Sequence, residues 1–179
     1  MKNLKALVVA VGFLVAGNVA MAQTKIAYIS VDQVVALMPE TAKIDSLLGQ
    51  YRADSIQPEY TRLIVNYQFK DSVYRDSVRT PKAVRDEVAK ELPGYIYQIQ
   101  NWSQIEQQAL EAKQNELLAP IYRQVYDAIK AVAKEKGYSH VMSREAFIVM
   151  PDADNLFTAV TQRLKLKVPP NMAAGAAGQ

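Results

Sequence analysis

The sequence predicts an α+β protein in which a long antiparallel helical hairpin projects from a small β-rich oligomerisation body. Residues 40–137 carry apolar side chains at steps of mostly three and four, which is typical of amphipathic helices. Short β-prone runs lie on both sides of this region, at 25–30 before it and at 139–144 and 147–150 after it. The two ends of the chain therefore have to meet in one body, and the middle has to leave it and return.

The first 22 residues are predicted to be a signal peptide. Two lysines precede an apolar run of about 15 residues, which is shorter than the ~20 residues that a bilayer-spanning helix needs. Ala20-Met21-Ala22 then gives the small-x-small pattern of a signal-peptidase site, so cleavage is predicted before Gln23. No cysteine follows this site, which argues against a lipid anchor.

The remaining chain has the size of one domain, with residues 23–39 and 138–168 assigned to the β-rich body and 169–179 to a disordered tail. It has no cysteine, so packing or oligomerisation has to supply its stability. The net charge of +3 falls to near +1 once the two signal-peptide lysines are removed. This balance makes no case for nucleic-acid binding.

The hairpin is predicted to contain a first helix over 40–79 and a second helix from Thr80-Pro81 to a stop at 134–137. Pro58 should remove a backbone hydrogen bond and kink the first helix. Pro93-Gly94 either breaks or only kinks the second helix. Both helices rise 1.5 Å per residue, and the tip is predicted near Thr80-Pro81. The numbers of two residues that face each other across the hairpin should therefore add up to about 161. This register places Ile44 opposite Leu117 and Tyr60 near Asn101, and it lays residues 122–136 against the body.

The body is predicted to hold three short strands and a last helix over 155–167, capped by residues 151–154, with residues 144–146 as the turn between the last two strands. So few strands are marginal alone, and their open edges would invite pairing with other chains. Several copies sharing one sheet or barrel would solve both problems. A closed trimer is one such arrangement, although the residues do not fix the number of copies.

Residues 25–40 and 116–165, together with the signal peptide and the charged, glutamine-rich hairpin between them, resemble the Skp/OmpH-like periplasmic chaperones. The resemblance implies a homotrimer with a β-rich body and three helical tentacles around a cavity. It also implies a periplasmic location and an ATP-independent holdase function for unfolded outer-membrane proteins. Many weak apolar contacts and confinement would keep such clients from aggregating.

The charge pattern departs from this family, whose better-known members are strongly basic. Residues 40–137 hold equal numbers of basic and acidic residues, and only the tip, residues 62–90, is positive. The tip is either a solvated turn or a patch that steers acidic clients, a membrane surface or lipopolysaccharide. A lipopolysaccharide site cannot be carried over residue by residue.

Candidate client contacts follow from the tip and from the tyrosines of the hairpin. Tyr51, Tyr60 and Tyr67 fall on the apolar stripe and are expected to fill the seam between the helices. Tyr97 falls off the stripe, so it is the better candidate for contact with an unfolded chain. The full set of candidates is Tyr97, Arg75, Arg79, Lys82 and Arg85.

No enzyme is predicted, and no cofactor or metal. A single histidine, His140, and the absence of cysteine exclude the usual zinc sites and cysteine nucleophiles. No G-x-S-x-G elbow accompanies His140, and the scattered glycines form no phosphate-binding loop. Two alternatives remain beside the holdase. One is a periplasmic adaptor whose hairpin docks onto another helical protein, and the other is an enzyme that depends on His140.

Overall fold

The protein, as a computed structural model, is mostly helical with one two-stranded sheet, and the structure describes residues 24–170 and Met172. The signal-peptide prediction for residues 1–22 lies outside these residues, as does most of the tail prediction for residues 169–179. The strands and helices, in chain order, are β1 (Ile26–Ile29), α1 (Val31–Ala36), α2 (Ile44–Tyr51), α3 (Gln57–Arg75), α4 (Lys82–Gln100), α5 (Trp102–Glu135), β2 (His140–Ser143) and α6 (Phe157–Arg163).

The two strands join the ends of the chain. β1 pairs with β2 in parallel, from Ile26 opposite His140 to Ile29 opposite Ser143. The connection between parallel strands has to cross over, and here all of α1 to α5 form that crossover. The strands thus bring residues 26–29 and 140–143 together, at the two ends of the helical region.

One cluster of apolar side chains, the base core, supports this sheet. Its members come from β1, α1, the start of α2, the second half of α5, and α6. Its buried residues are Ala27, Ile29, Val34, Val35, Met38, Ile44, Ile121, Val125, Ala128, Ile129, Val132, Ala133, Leu156, Phe157 and Val160. The last four turns of α5 thus lie against the base. This agrees with the predicted register, which lays residues 122–136 against the body.

The body is less β-rich than predicted. Residues 139–144 do give a strand, but the expected strand at 147–150 is absent, and only the bridge between Tyr28 and Asn155 adds to the sheet. Phe147 has an extended backbone, with φ −123° and ψ 143°. β-propensity alone does not form a strand unless the segment pairs with a strand edge, and in the described structure residues 147–150 pair with none.

The helices of the middle region pack antiparallel in the predicted register. The Tyr60 and Trp102 rings lie 5.1 Å apart, and Lys70 Nζ lies 2.6 Å from a Glu91 carboxylate oxygen. The numbers of both pairs add up to about the expected sum. Between these helices, outside the base core, the buried apolar side chains of the described residues are Ile56, Leu63 and Leu92.

The helix boundaries correct several expectations. The first helix begins at Ile44 rather than Glu40, and a π-helical turn, Arg52–Ile56, precedes Pro58 in place of a simple kink. Because Pro58 stands in the first turn of α3, its missing N–H falls where the regular ladder is already interrupted. α3 ends at Arg75, so the first helix is also shorter than expected at its far end.

The second helix also differs from its prediction. α4 begins after Pro81, and Thr80 makes no capping bond. Pro93-Gly94 does not break this helix, which runs on to Gln100. The helix is instead interrupted at Asn101, where φ is −99° and ψ is 11°. The Asn101 side-chain amide and backbone N–H both donate to the Tyr97 carbonyl oxygen, at 2.7 Å and 3.0 Å.

Two helices end in the same way with different residues. After α5, Tyr138 N–H donates to the Ala133 carbonyl oxygen at 2.9 Å around Gly137, whose φ is +72°. After α6, Leu166 N–H donates to the Thr161 carbonyl oxygen at 2.9 Å around Lys165, whose φ is +55°. Both are Schellman motifs. The second one ends α6 at Arg163, four residues before the predicted end.

This contrast gives the first testable prediction. Lys165→Gly should raise the free energy of unfolding by about 0.5–1 kcal/mol, because glycine removes the steric penalty of the left-handed backbone but adds chain entropy to the unfolded state. Gly137→Ala should lower it by about 1 kcal/mol. A Cβ at Gly137 would meet open space, so only the backbone penalty acts there. Urea unfolding at fixed protein concentration measures the free energy of unfolding of both variants. A change of the same sign in both variants would contradict this explanation.

Candidate interaction surfaces

The candidate sites are surfaces of the paired helices and of the base, because the described residues hold no enclosed catalytic cleft with converging reactive groups. No cluster of three or more His, Cys, Asp or Glu able to bind a metal occurs in residues 24–170 or at Met172. In the same part of the chain, no helix is both long and apolar enough to cross a membrane. His140 lies exposed on β2, where its backbone pairs with Ile26.

The tip of the helical pair is a short turn built on Asp76. Its carboxylate accepts hydrogen bonds from the N–H groups of Val78 and Arg79, at 3.2 Å and 2.9 Å. This Asx-type turn holds Val78 at the apex, where the residue is 93% exposed. The sequence placed Val78 on the buried stripe, which is wrong because α3 has ended before it.

Three of the four candidate cations at the tip are paired with acids on their own helix or turn. Arg75 Nε lies 2.7 Å from Asp71, Arg79 Nε 2.9 Å from Asp76, and Lys82 Nζ 2.7 Å from Asp86. The Lys82 ammonium lowers the pKa of Asp86 below its usual range, chiefly through their hydrogen bond. These pairs leave the tip with less free positive charge than its composition indicates.

Arg85 is the exception among the four cations. Within the described residues it makes no ion pair, and its Nε is buried without a hydrogen-bond partner. Because this nitrogen is buried, an incoming carboxylate or phosphate does not reach it directly.

Tyr97 lies on α4 and is 67% exposed, as its place off the stripe predicts. Phe69 on α3 is equally exposed, and Val65, four residues earlier, is exposed on the same face. The sequence reasoning missed both. The sequence did contain a signal for both, because Val65 and Phe69 are apolar residues that lie outside the apolar stripe of the helix. These exposed side chains offer apolar surface that another molecule can cover.

The base carries a second exposed apolar feature, the segment Phe147–Met150. Ile148 is fully exposed and Val149 is 86% exposed. Glu145 precedes the segment, and Asp152 and Asp154 follow it. Isolated apolar side chains on a surface are ordinary, but two adjacent ones in a β-prone run are a candidate for strand pairing with another chain.

A groove of about 480 Å³ lies elsewhere on the base, between α5 and β2. Its floor is apolar, its rim carries Lys130 and Lys134, and β2 has an unpaired edge because β1 is its one neighbour in the sheet. Residues lining the groove are Tyr126, Ile129, Lys130, Ala133, Lys134, Tyr138, Ser139 and Val141.

The Glu145 carboxylate links the two strands at their C-terminal ends. Glu145 accepts a hydrogen bond from Ser30 Oγ at 2.8 Å and another from Ser143 Oγ. Ser30 follows β1 and Ser143 ends β2, so Glu145 ties both strands together beside the exposed segment. The Ser143 hydroxyl, its own backbone N–H and the Ser30 hydroxyl lower the pKa of Glu145, the Ser143 bond most strongly.

A match to a protein-family model identifies the family of this chain. The model described as Outer membrane protein (OmpH-like) matches residues 25–164, well over half of the sequence. The chain belongs to the OmpH-like family. The matched region runs from the residue before β1 to the residue after α6, so it takes in both strands, the base core and the paired helices.

No curated protein matches the chain. Among solved structures, one similar chain comes from Caulobacter crescentus CB15 and is described as a proposed outer membrane chaperone (OmpH-like). The two share 18% sequence identity with a TM-score of 0.48, over 80% of this chain and 85% of that one. The family assignment rests on the family model.

The Glu145 contacts give a pH-dependent prediction. The folded pKa of Glu145 is lowered from 4.5, so the carboxylate stabilises the fold above about pH 4.5 and loses that effect as pH falls through the folded pKa. The wild type should therefore be more stable than Glu145→Gln at neutral pH, by less than about 1 kcal/mol because the group is exposed. Urea unfolding from pH 7 to 3 should show this difference shrinking, whereas a constant difference would contradict the assignment.

Proposed function

We propose that the protein is an ATP-independent periplasmic holdase that keeps unfolded outer-membrane proteins soluble between the helical pairs of several copies. The observation that carries the proposal is the distribution of apolar surface. The base core is buried, whereas the paired helices bury few side chains between them and expose aromatic ones. Such helices have surface for holding a chain and no interior for chemistry.

The exposed aromatic residues fit the chemistry of unfolded β-barrel precursors. Outer-membrane barrels alternate apolar and polar residues along each strand, so their unfolded chains present apolar side chains beside a fully polar backbone. Tyr97 offers an apolar ring and a hydroxyl, and Phe69 offers a larger apolar face. Several weak contacts of this kind hold a client without folding it, and the client leaves when its own barrel pairs its strands.

The tip cations have a secondary place in this proposal. Arg75, Arg79 and Lys82 each form an ion pair with an acidic neighbour, which offsets much of their long-range attraction for acidic clients or anionic lipid headgroups. Arg85 makes no ion pair within the described residues, and its Nε is buried. Long-range steering of this type weakens as salt rises.

The proposed holdase is an oligomer, and the resemblance to the family gives three copies. In this arrangement the segment Phe147–Met150 of one copy pairs with the open edge of β2 on the next, and its apolar side chains enter the groove beside α5. The charges agree, because acidic residues flank the segment and lysines rim the groove. This pairing between copies would bury Ile148 and Val149. The helical pairs of all copies would then project from one shared base.

This assembly can be tested by substitution in the segment. Ile148→Asp with Val149→Asp should convert the oligomer to a monomer in size-exclusion chromatography with light scattering, because burying two carboxylates in an apolar groove is unfavourable. Val78→Asp is the matched control, since Val78 is equally exposed but stands at the tip. An unchanged oligomer in the double variant, or a monomeric wild type, would contradict the proposed interface.

The holdase activity itself is tested with a urea-unfolded outer-membrane β-barrel protein, diluted with and without the mature chain while turbidity is followed. The wild type should suppress aggregation without ATP. Phe69→Ser with Tyr97→Ser should require several-fold more protein for the same effect, because apolar contact area is lost at two sites.

His140→Ala is the control, and it should behave as the wild type does. Loss of aggregation suppression in this variant would favour a function that depends on the histidine. No suppression by the wild type, together with a stable one-to-one complex with another helical protein, would favour the adaptor function instead.

A further inference from the structure

The two helices farthest from the base carry nearly balanced charge. They are α3 and α4, and with the turn between them they form residues 57–100, the distal pair. The tip taken alone, residues 62–90, is positive, but Glu59 and Glu91 lie just outside those bounds and remove most of the excess. The distal pair holds seven basic and six acidic residues, so its net charge is +1.

Each of the six acidic residues forms an ion pair with a basic one. Five pairs join residues three or four positions apart in the chain, and Lys70 with Glu91 joins α3 to α4 at 2.6 Å. The five are Glu59–Arg62, Asp71–Arg75, Asp76–Arg79, Lys82–Asp86 and Glu87–Lys90. Because the spacing in the sequence sets this alternation, opposite charges stay neighbours even when exposed side chains change rotamer.

Charges paired in this way produce little field at a distance. Opposite charges in contact act as dipoles, whose attraction for an approaching charge falls off faster than that of a single charge. What remains is screened beyond the Debye length, about 10 Å at 0.1 M salt. Arg85, the seventh cation, forms no ion pair within the described residues, and its Nε is buried. The distal pair therefore presents an approaching chain with almost no net charge.

Apolar side chains, by contrast, are plentiful on this surface. Half of the large apolar and aromatic side chains that are exposed in the described residues belong to the distal pair. These are Val65, Phe69, Tyr74, Val78, Val84, Ile96 and Tyr97. Single exposed apolar side chains are ordinary on any surface, but here they come from both helices and the tip, between charges that cancel. Such a spread can touch many segments of an unfolded chain and selects no particular sequence.

We propose that the distal pair captures unfolded chains by apolar contact rather than by charge, so that it accepts acidic and basic clients with nearly equal affinity. This inference rests on the proposed function and deepens it by naming the client class, which is unfolded chains rich in apolar side chains whatever their net charge. A strongly basic surface attracts acidic chains and repels basic ones. The balanced distal pair does neither, and the apolar content of the client decides capture.

The experiment compares two forms of one urea-unfolded outer-membrane β-barrel chain. The first form is unmodified and acidic. In the second, the carboxylates are coupled to ethylenediamine, which makes the net charge positive and leaves the apolar side chains unchanged. Fluorescence anisotropy of the labelled client measures its binding to the mature protein at about 0.01 M and about 1 M sodium chloride. Between these concentrations the Debye length falls from about 30 Å to about 3 Å.

The wild type should bind both forms with dissociation constants within about two-fold of each other. Salt should change neither constant by more than about two-fold, because apolar contact leaves no net charge to screen.

A charge-uncovered variant shows what the balance does. Asp71→Asn, Asp86→Asn, Glu87→Gln and Glu91→Gln together leave four cations without their partners. This variant should bind the acidic form several-fold more tightly than the basic form at low salt, and the preference should disappear at high salt.

The matched control removes two complete ion pairs and keeps the net charge. It carries Lys82→Gln, Asp86→Asn, Glu87→Gln and Lys90→Gln, and it should bind both forms as the wild type does. A preference in the first variant then reports net charge rather than the loss of particular pairs. Circular dichroism of each variant confirms that the helices are retained.

Three results would overturn the proposal and leave the holdase function standing. They are a wild type that binds the acidic form several-fold more tightly, wild-type binding that weakens several-fold as salt rises, or a charge-uncovered variant that gains no preference over its matched control. A wild type that binds neither form would contradict the holdase function itself, and this proposal with it.

Discussion

The parallel pairing of β1 with β2 is the constraint on which the rest of this structure depends. It joins residues that are more than a hundred positions apart, as in the bond from Ser139 Oγ to the Lys25 carbonyl oxygen, which spans 114 residues. Closing so long a loop costs conformational entropy, and two short strands cannot offset that cost. The base core does so, because β1, α1, α5 and α6 bury one continuous set of apolar side chains around the strands.

Once the base is closed, the helices between β1 and β2 have to leave the base and return to it. Its length follows from the number of residues between the strands, and its register follows from the position of the tip turn. Few apolar side chains are buried along it, so the distal helices depend on continuity with the base and on surface ion pairs that contribute little each. Low local stability and a large wet surface are therefore built into the same region.

The exposed apolar residues divide into two kinds with different physical meaning. Ile148 and Val149 are exposed side by side in a β-prone segment that is not a strand in this structure, a combination that favours backbone pairing with an identical chain. Phe69 and Tyr97 lie on helices whose backbone bonds are already satisfied, so they can offer side-chain contacts only. The first kind is suited to a fixed interface, and the second to weak contacts with a changing client.

The sequence by itself determined the helical register, the α5 stop at Gly137, the return of α5 to the base and the exposure of Tyr97, because apolar period, glycine and chain length act locally. It predicted a strand at 147–150 that the structure does not contain, because a β-prone segment forms a strand only where it pairs with a strand edge. It also misplaced the helix break. Pro93 is the stronger local signal, yet the helix passes through it and is interrupted at Asn101 instead. Whether such a site bends, kinks or breaks depends on the partner helix packed against it, and only the tertiary structure decides that.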